Sequence, residues 1–154
     1  YLDIIASKGA GDRFLKSWIK HLASQCAESY RDKRSWLLCD LKKGDPKWVS
    51  FDPVSDPVAE LNRFISLYEK GHKAPLLTFP NATFEYLKQE RENKKNPLGK
   101  AVTAFEGTDF SPYGENSDPF VTLMLGEGAP FREEYMDSDL SDAISVMLNH
   151  MEEH

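Results

Sequence analysis

Two cysteines in 154 residues are too few for a disulfide framework. Cys26 falls in a helical pattern and Cys39 in a strand-like one, so both read as buried free thiols in a cytoplasmic setting. No apolar run approaches the roughly twenty residues that a membrane span needs. Histidine is scarce: His21, His72, His150 and His154 make up the set, and none belongs to an H-E-x-x-H pair. His21 reads as a satisfied, partly buried residue of the first helix, and His150 and His154 as neighbours on one face of a helical end. The phosphate-cradling patterns G-x-G-x-x-G and G-x-x-x-x-G-K-[ST] are missing, and "GEG" at 126–128 is only a turn. Ser111 and Ser117 lack a nucleophile-elbow setting. No metal site, nucleotide site or activated serine is written in the chain.

Basic residues are also scarce where the acids gather. Residues 118–154 hold nine acids against the single Arg132, whereas residues 1–50 hold ten Lys and Arg against six acids. The net charge of -6 argues against a wholesale nucleic-acid surface. The polarity leaves two readings open: separately solvated faces, or one face near phosphates and another against a basic partner.

Hydrophobic residues at 40% and aromatics at 12% suffice for a core, and nine Gly with nine Pro promise defined turns. The opening "YLDIIAS" reads as a strand within a longer polypeptide, followed by a turn over 7–11. From Asp12, a candidate N-cap, to about Ser29 the apolar residues Phe14, Leu15, Trp18, Leu22 and Cys26 recur at helical spacing. "SWLLCDL" and "KWVSF" predict a hairpin around "KKGDP". A helix follows with Asp56 as cap, Pro57 at its first position and Gly71 as its stop. Its expected buried stripe is Val58, Leu61, Phe64, Ile65 and Tyr68. Asn81, Asn96 and Asp118 are read as caps of three later helices, the last two followed by Pro97 and Pro119. A C-terminal amphipathic helix carries Leu140, Ala143, Ile144, Met147, Leu148 and Met151. The fold class is mixed α/β and rich in helix, and residues 1–154 read as a single domain without a linker or repeat.

The stretch "AFEGTDFSPYGENSDPF" concentrates Glu106, Asp109, Glu115 and Asp118. Four acids in a Gly/Pro-rich loop show no sign of the separated carboxylate pair that glycoside cleavage requires. Local jobs, satisfying amides and closing turns, account for Glu106 and Asp118 better. Arg34 beside Trp36 and Lys47 beside Trp48 are candidates for DNA contacts, with hairpin packing as the alternative.

The order of local patterns carries more than any single one. "RFLKSWIKHLA", "FISLYEKGHKAPLLTFP", "KAVTAFEG" and "YGENSDPF" together resemble the C-terminal region of the gamma chain of exodeoxyribonuclease V, the RecC subunit family of RecBCD. The matching positions are Trp18, His21 and Leu22, then Gly71, Pro75, Leu76, Phe79 and Pro80, then Ala104, Glu106 and Gly107, and finally Gly114, Glu115, Asp118 and Pro119. Phe105 stands where the family usually has Trp. The resemblance implies a domain with the PD-(D/E)XK nuclease fold, catalytically degenerate, within an ATP-dependent helicase–nuclease that processes double-strand DNA ends for recombinational repair in bacteria. It further implies beta and alpha helicase chains as partners, contact with DNA through the complex, and no cofactor in this domain, Mg²⁺ and ATP being used by other subunits. A working nuclease site of that class needs two carboxylates and a lysine around an ion. Here Asp3 is followed two positions later by Ile5, and Lys8 arrives only in the turn. A non-catalytic subunit domain is the favoured reading, with an active Mg²⁺-dependent nuclease and an unrelated protein-interaction domain as alternatives.

Overall fold

The computed structural model describes residues 2–4, 10–39 and 46–154. They form a mixed, helix-rich α/β arrangement that divides into two compact units, residues 1–76 with 142–154, and residues 77–141. Residues 7–9 of the expected turn, with Lys8, and most of the "KKGDP" connection lie outside the described residues, and Gly11 opens the first helix instead.

In the first unit a four-stranded sheet has the order β1 (Leu2–Ile4), β2 (Ser35–Cys39), β3 (Lys47–Phe51), β4 (Met151–Glu153). β1 runs parallel to β2, with Asp3 opposite Leu37, and the remaining pairs are antiparallel. A parallel pair needs a long crossover, and α1 (Gly11–Gln25) supplies it. Phe14, Trp18 and Leu22 of α1 are buried, as are Leu37, Cys39, Val49 and Phe51 of the strands. These alternate strand positions line the core face, as the two-residue period of a strand requires.

Several ends differ from what local sequence predicts. Ala10, extended at φ -139° and ψ 162°, is the N-cap of α1, so Asp12 lies inside the first turn. There its charge still suits the helix start, and it faces Lys16 at 3.8 Å. α1 stops at Gln25, short of Ser29, because the buried Gln25 amide donates to the carbonyls of Tyr30 (2.8 Å) and Lys33 (2.7 Å) and folds the chain back. Cys26, just past that end, is exposed, and only Cys39 is buried.

α2 (Pro57–Lys73) starts as expected, with Asp56 accepting from Ala59 N–H at 3.0 Å. It runs through Gly71 and ends at Ala74, which is extended. The stop is therefore set by Pro75, whose ring disfavours helical geometry in the residue before it. The apolar stripe is not buried either: Val58, Ile65 and Tyr68 are 53%, 47% and 68% exposed. Periodicity identified the helix but not what covers it.

At the other end of the chain α6 (Ser138–Asn149) buries Leu140, Ala143, Ile144, Met147 and Leu148. Met151 was expected on the same helix but begins β4, which pairs with β3 at Phe51. Consequently His150 and His154 do not share a helical face. His150 stacks on Trp18 at 5.9 Å, whereas His154 lies against Trp36 at 5.3 Å.

The second unit contains α3 (Pro80–Arg91), α4 (Pro97–Glu106) and α5 (Pro119–Leu125). Its core is Phe79, Ala82, Ala101, Phe105 and Tyr135, with Val121, Leu125 and Phe131 packed against them. Phe79 meets Phe105 edge-on at 4.8 Å between ring centres, a favoured aromatic geometry.

Candidate functional site

The face of the sheet opposite the core is unusually apolar. Leu2 pairs with Trp36 and Leu38 with Trp48, so these side chains share one side with Ile4 and Ser50. Trp36 and Trp48 meet edge-on at 6.3 Å, and His154 Nε2 lies 3.0 Å from Ser50 Oγ. Leu2, Trp36, Trp48 and His154 line an open depression of about 580 Å³. Of the four candidate DNA contacts, the structure brings the two tryptophans together. The Arg34 guanidinium is occupied by Asp52 and, at 3.4 Å, by Glu152. Lys47 sits exposed at the end of β3, its carbonyl 3.5 Å from the Cys39 thiol. The surface can stack and bury apolar groups, and among the described residues no cationic stripe runs along it to follow a phosphate backbone.

On the core side, Trp18, His21 and Leu22 are all fully buried. His21 Nε2 is 3.1 Å from the Asp52 carbonyl, which can only accept, so Nε2 carries the proton. Nδ1 then accepts from the Ser35 hydroxyl at 2.7 Å. Burial lowers the His21 pKa from 6.5 to about 4, partly opposed by the Asp52 carbonyl and reinforced by nearby His150. This histidine is a neutral structural pin between α1 and the sheet, with both nitrogens committed. Among the described residues, no three His, Cys, Asp or Glu are placed to hold a metal ion.

The acids of 104–120 diverge. Glu115 accepts the N–H of Asn81 and of Ala82, each at 2.9 Å, and so caps α3 from a distant part of the chain. Asn81, read as the cap, is instead the second residue of that helix. Pro80 at the first position has no N–H, which leaves the next two amides for a carboxylate to satisfy. Glu106 accepts from Phe131 N–H at 2.7 Å, and Asp118 from Phe120 N–H at 2.8 Å as the cap of α5. Asp109 is exposed. Three carboxylates are thus directed at separate backbone amides rather than converging on one reacting centre.

The glycines of the same stretch let backbone meet backbone. Gly107 has φ 81° and ψ -162°, a region accessible almost only to glycine. A Cβ on Gly114 would run into the Phe105 carbonyl oxygen and come within 2.5 Å of Gly107 N. Of the remaining motif positions, Ala104 packs on the second core, Pro119 opens α5, and Gly71 and Pro75 are exposed. Sequence reading passed over the buried polar residues Gln25, which holds the chain just beyond α1, and Ser35 and Ser50, whose partners His21 and His154 are farther away in the chain.

The family model of the RecC C-terminal domain matches residues 2–91. The chain belongs to that family. The RecC C-terminal match takes in the sheet strands β1 to β3 and the helices α1 to α3, while the motif positions from Ala104 to Pro119 lie beyond it. No curated protein matches the chain. No helix among the described residues is long and apolar enough to cross a membrane.

Proposed function

We propose that this chain is a non-catalytic domain of the gamma subunit of exodeoxyribonuclease V, acting in subunit assembly and in guiding DNA strands during the repair of double-strand ends. Membership in the RecC C-terminal family carries this reading. It fits an order in which a strand, a long crossover helix and an antiparallel hairpin succeed one another, as expected of a degenerate PD-(D/E)XK domain spanning 1–154. It also fits the direction of Glu106, Glu115 and Asp118 at separate backbone amides rather than at one shared centre. On this reading the beta and alpha chains are the partners, DNA is met through the complex, and Mg²⁺ and ATP serve the other subunits.

Reconstitution of the heterotrimer with and without this segment tests the proposal. Its removal is expected to release a partner chain or to impair unwinding of linear duplex. A complex that keeps all its chains and unwinds at an unchanged rate would overturn it.

A further inference from the structure

α5 is apolar apart from Thr122, whose hydroxyl donates to the Asn116 carbonyl at 3.2 Å. Val121 and Leu125, four apart, pack on the core of the second unit. The opposite side carries Phe120 and Leu123, 76% and 83% exposed, with Met124 beside them. In the loop before α5, Phe110 and Tyr113 are also almost wholly in solvent. Single exposed apolar residues are ordinary, but five large ones within positions 110–124 are not, and such a cluster marks an interaction surface.

The segment that presents them is held firmly. Thr108 and Ser111 exchange backbone hydrogen bonds at 2.9 and 3.0 Å, Gly114 packs on the backbone of 105–107, and Glu115 is tied to α3. A backbone already fixed has little ordering cost left when a partner arrives.

Charge selects the partner. Residues 104–141 contain nine acids and one basic residue, Arg132, which is engaged with Glu134 at 3.3 Å. Asp109, Asp118, Glu127 and Glu133 are exposed around the apolar positions in sequence. Phosphates would be repelled here, and a second copy meeting this face with its own would bring like charge to like charge. We infer that the outer face of α5, with the Phe110–Tyr113 loop, docks a basic amphipathic segment of another protein, its apolar side chains on Phe120 and Leu123 and its Lys or Arg among the acids. The inference deepens the assembly part of the proposed function.

A helical peptide with Leu on one face and Lys on the other is the probe, measured by fluorescence anisotropy against the full chain. Binding is expected to weaken about tenfold or more in Phe120→Ser/Leu123→Ser, the loss typical of removing interface anchors. It should weaken with added salt and persist in Ile65→Ser/Tyr68→Ser on α2. Glu127→Lys/Glu133→Lys keeps the anchors and should turn the preference toward a Leu/Glu peptide. Thermal melts of the α5 variant should match the parent, since both side chains are exposed. Equal affinity of the parent for Lys and Glu peptides, or binding indifferent to the α5 changes, would overturn the inference. So would duplex DNA binding, or a sedimenting dimer, that those changes abolish. No other subunit enters this measurement, so it can fail while reconstitution succeeds, or the reverse.

Discussion

Glu115 holds the start of a helix that begins far before it in the chain, its Oε2 accepting from Ala82 N–H at 2.9 Å across 33 residues. Its other oxygen takes Asn81 N–H at the same distance, and the negative charge stands where the helix dipole is positive. Glu115→Ala should destabilise the chain by about 1–3 kcal/mol, because two charge-assisted bonds vanish and two amides lose their acceptor. Glu115→Gln should recover part of that loss. Urea melts of the two variants check the order. The local cap at Asp118 provides the scale: Asp118→Ala should cost about 0.5–2 kcal/mol, and no change would mean that its 2.8 Å bond to Phe120 N–H contributes nothing.

The glycine pair in the same stretch should be less forgiving. At Gly107 an alanine meets a backbone region that L residues rarely enter, and at Gly114 it meets the Phe105 carbonyl. Each substitution should destabilise by about 1–3 kcal/mol, from strain in the first case and overpacking in the second. Since Glu115 follows Gly114 directly, Gly114→Ala should also loosen the cap on α3. Hydrogen exchange at Asn81 and Ala82 would register this, and exchange rates equal to the parent's would show that the two features are independent.

These long-range ties mark where sequence reading stops. The helix starts at Pro57, Pro97 and Pro119 were legible because donor and acceptor lie two or three residues apart, as in Asn96 with Gly99 at 2.9 Å. Glu115 capping α3 was not, since nothing local distinguishes its carboxylate from Asn81, the nearer candidate. The same holds for β4: Met151 continues the helical spacing of Met147 and Leu148, and only the edge of β3 draws it into a strand. Pattern gave the hairpin that joins Trp36 and Trp48, but the apolar sheet face they form with Leu2 needed the parallel register of β1. The exposed stripe of α2 is the converse case, an apolar pattern that reads as core although Tyr68 is mostly in solvent.

His21 makes stability depend on pH. Its folded pKa, about 4, lies below the ordinary 6.5, so the unfolded chain binds the proton more readily. Above pH 6.5 both states are neutral and the full stability is present. As pH falls from 6.5 toward 4 the unfolded state gains protons first, and folding loses on the order of 3 kcal/mol from this one group. Carboxylates add their own acid sensitivity, so the comparison is with His21→Gln, whose stability should fall less steeply across that window even if it is lower at neutral pH. Parallel slopes for the two proteins would show that His21 is not the titrating group.

The last expectation concerns chemistry. Glu106, Glu115 and Asp118 are directed at separate backbone amides, and no group of three ligand side chains among the described residues offers a place for a divalent ion. Phosphodiester hydrolysis by a PD-(D/E)XK site needs the ion to activate water and to neutralise charge on the attacked phosphate. Two positions after Asp3 the sequence has Ile5 where that motif has lysine. The purified chain should therefore leave linear duplex DNA intact in Mg²⁺ at protein concentrations well above those of the DNA. Contaminating nuclease is separated from intrinsic activity by the variant Asp3→Ala. Residual cleavage that the variant retains belongs to a contaminant, whereas cleavage that copurifies with the chain and disappears in Asp3→Ala would establish an active site built on β1 and remove the case for a scaffold.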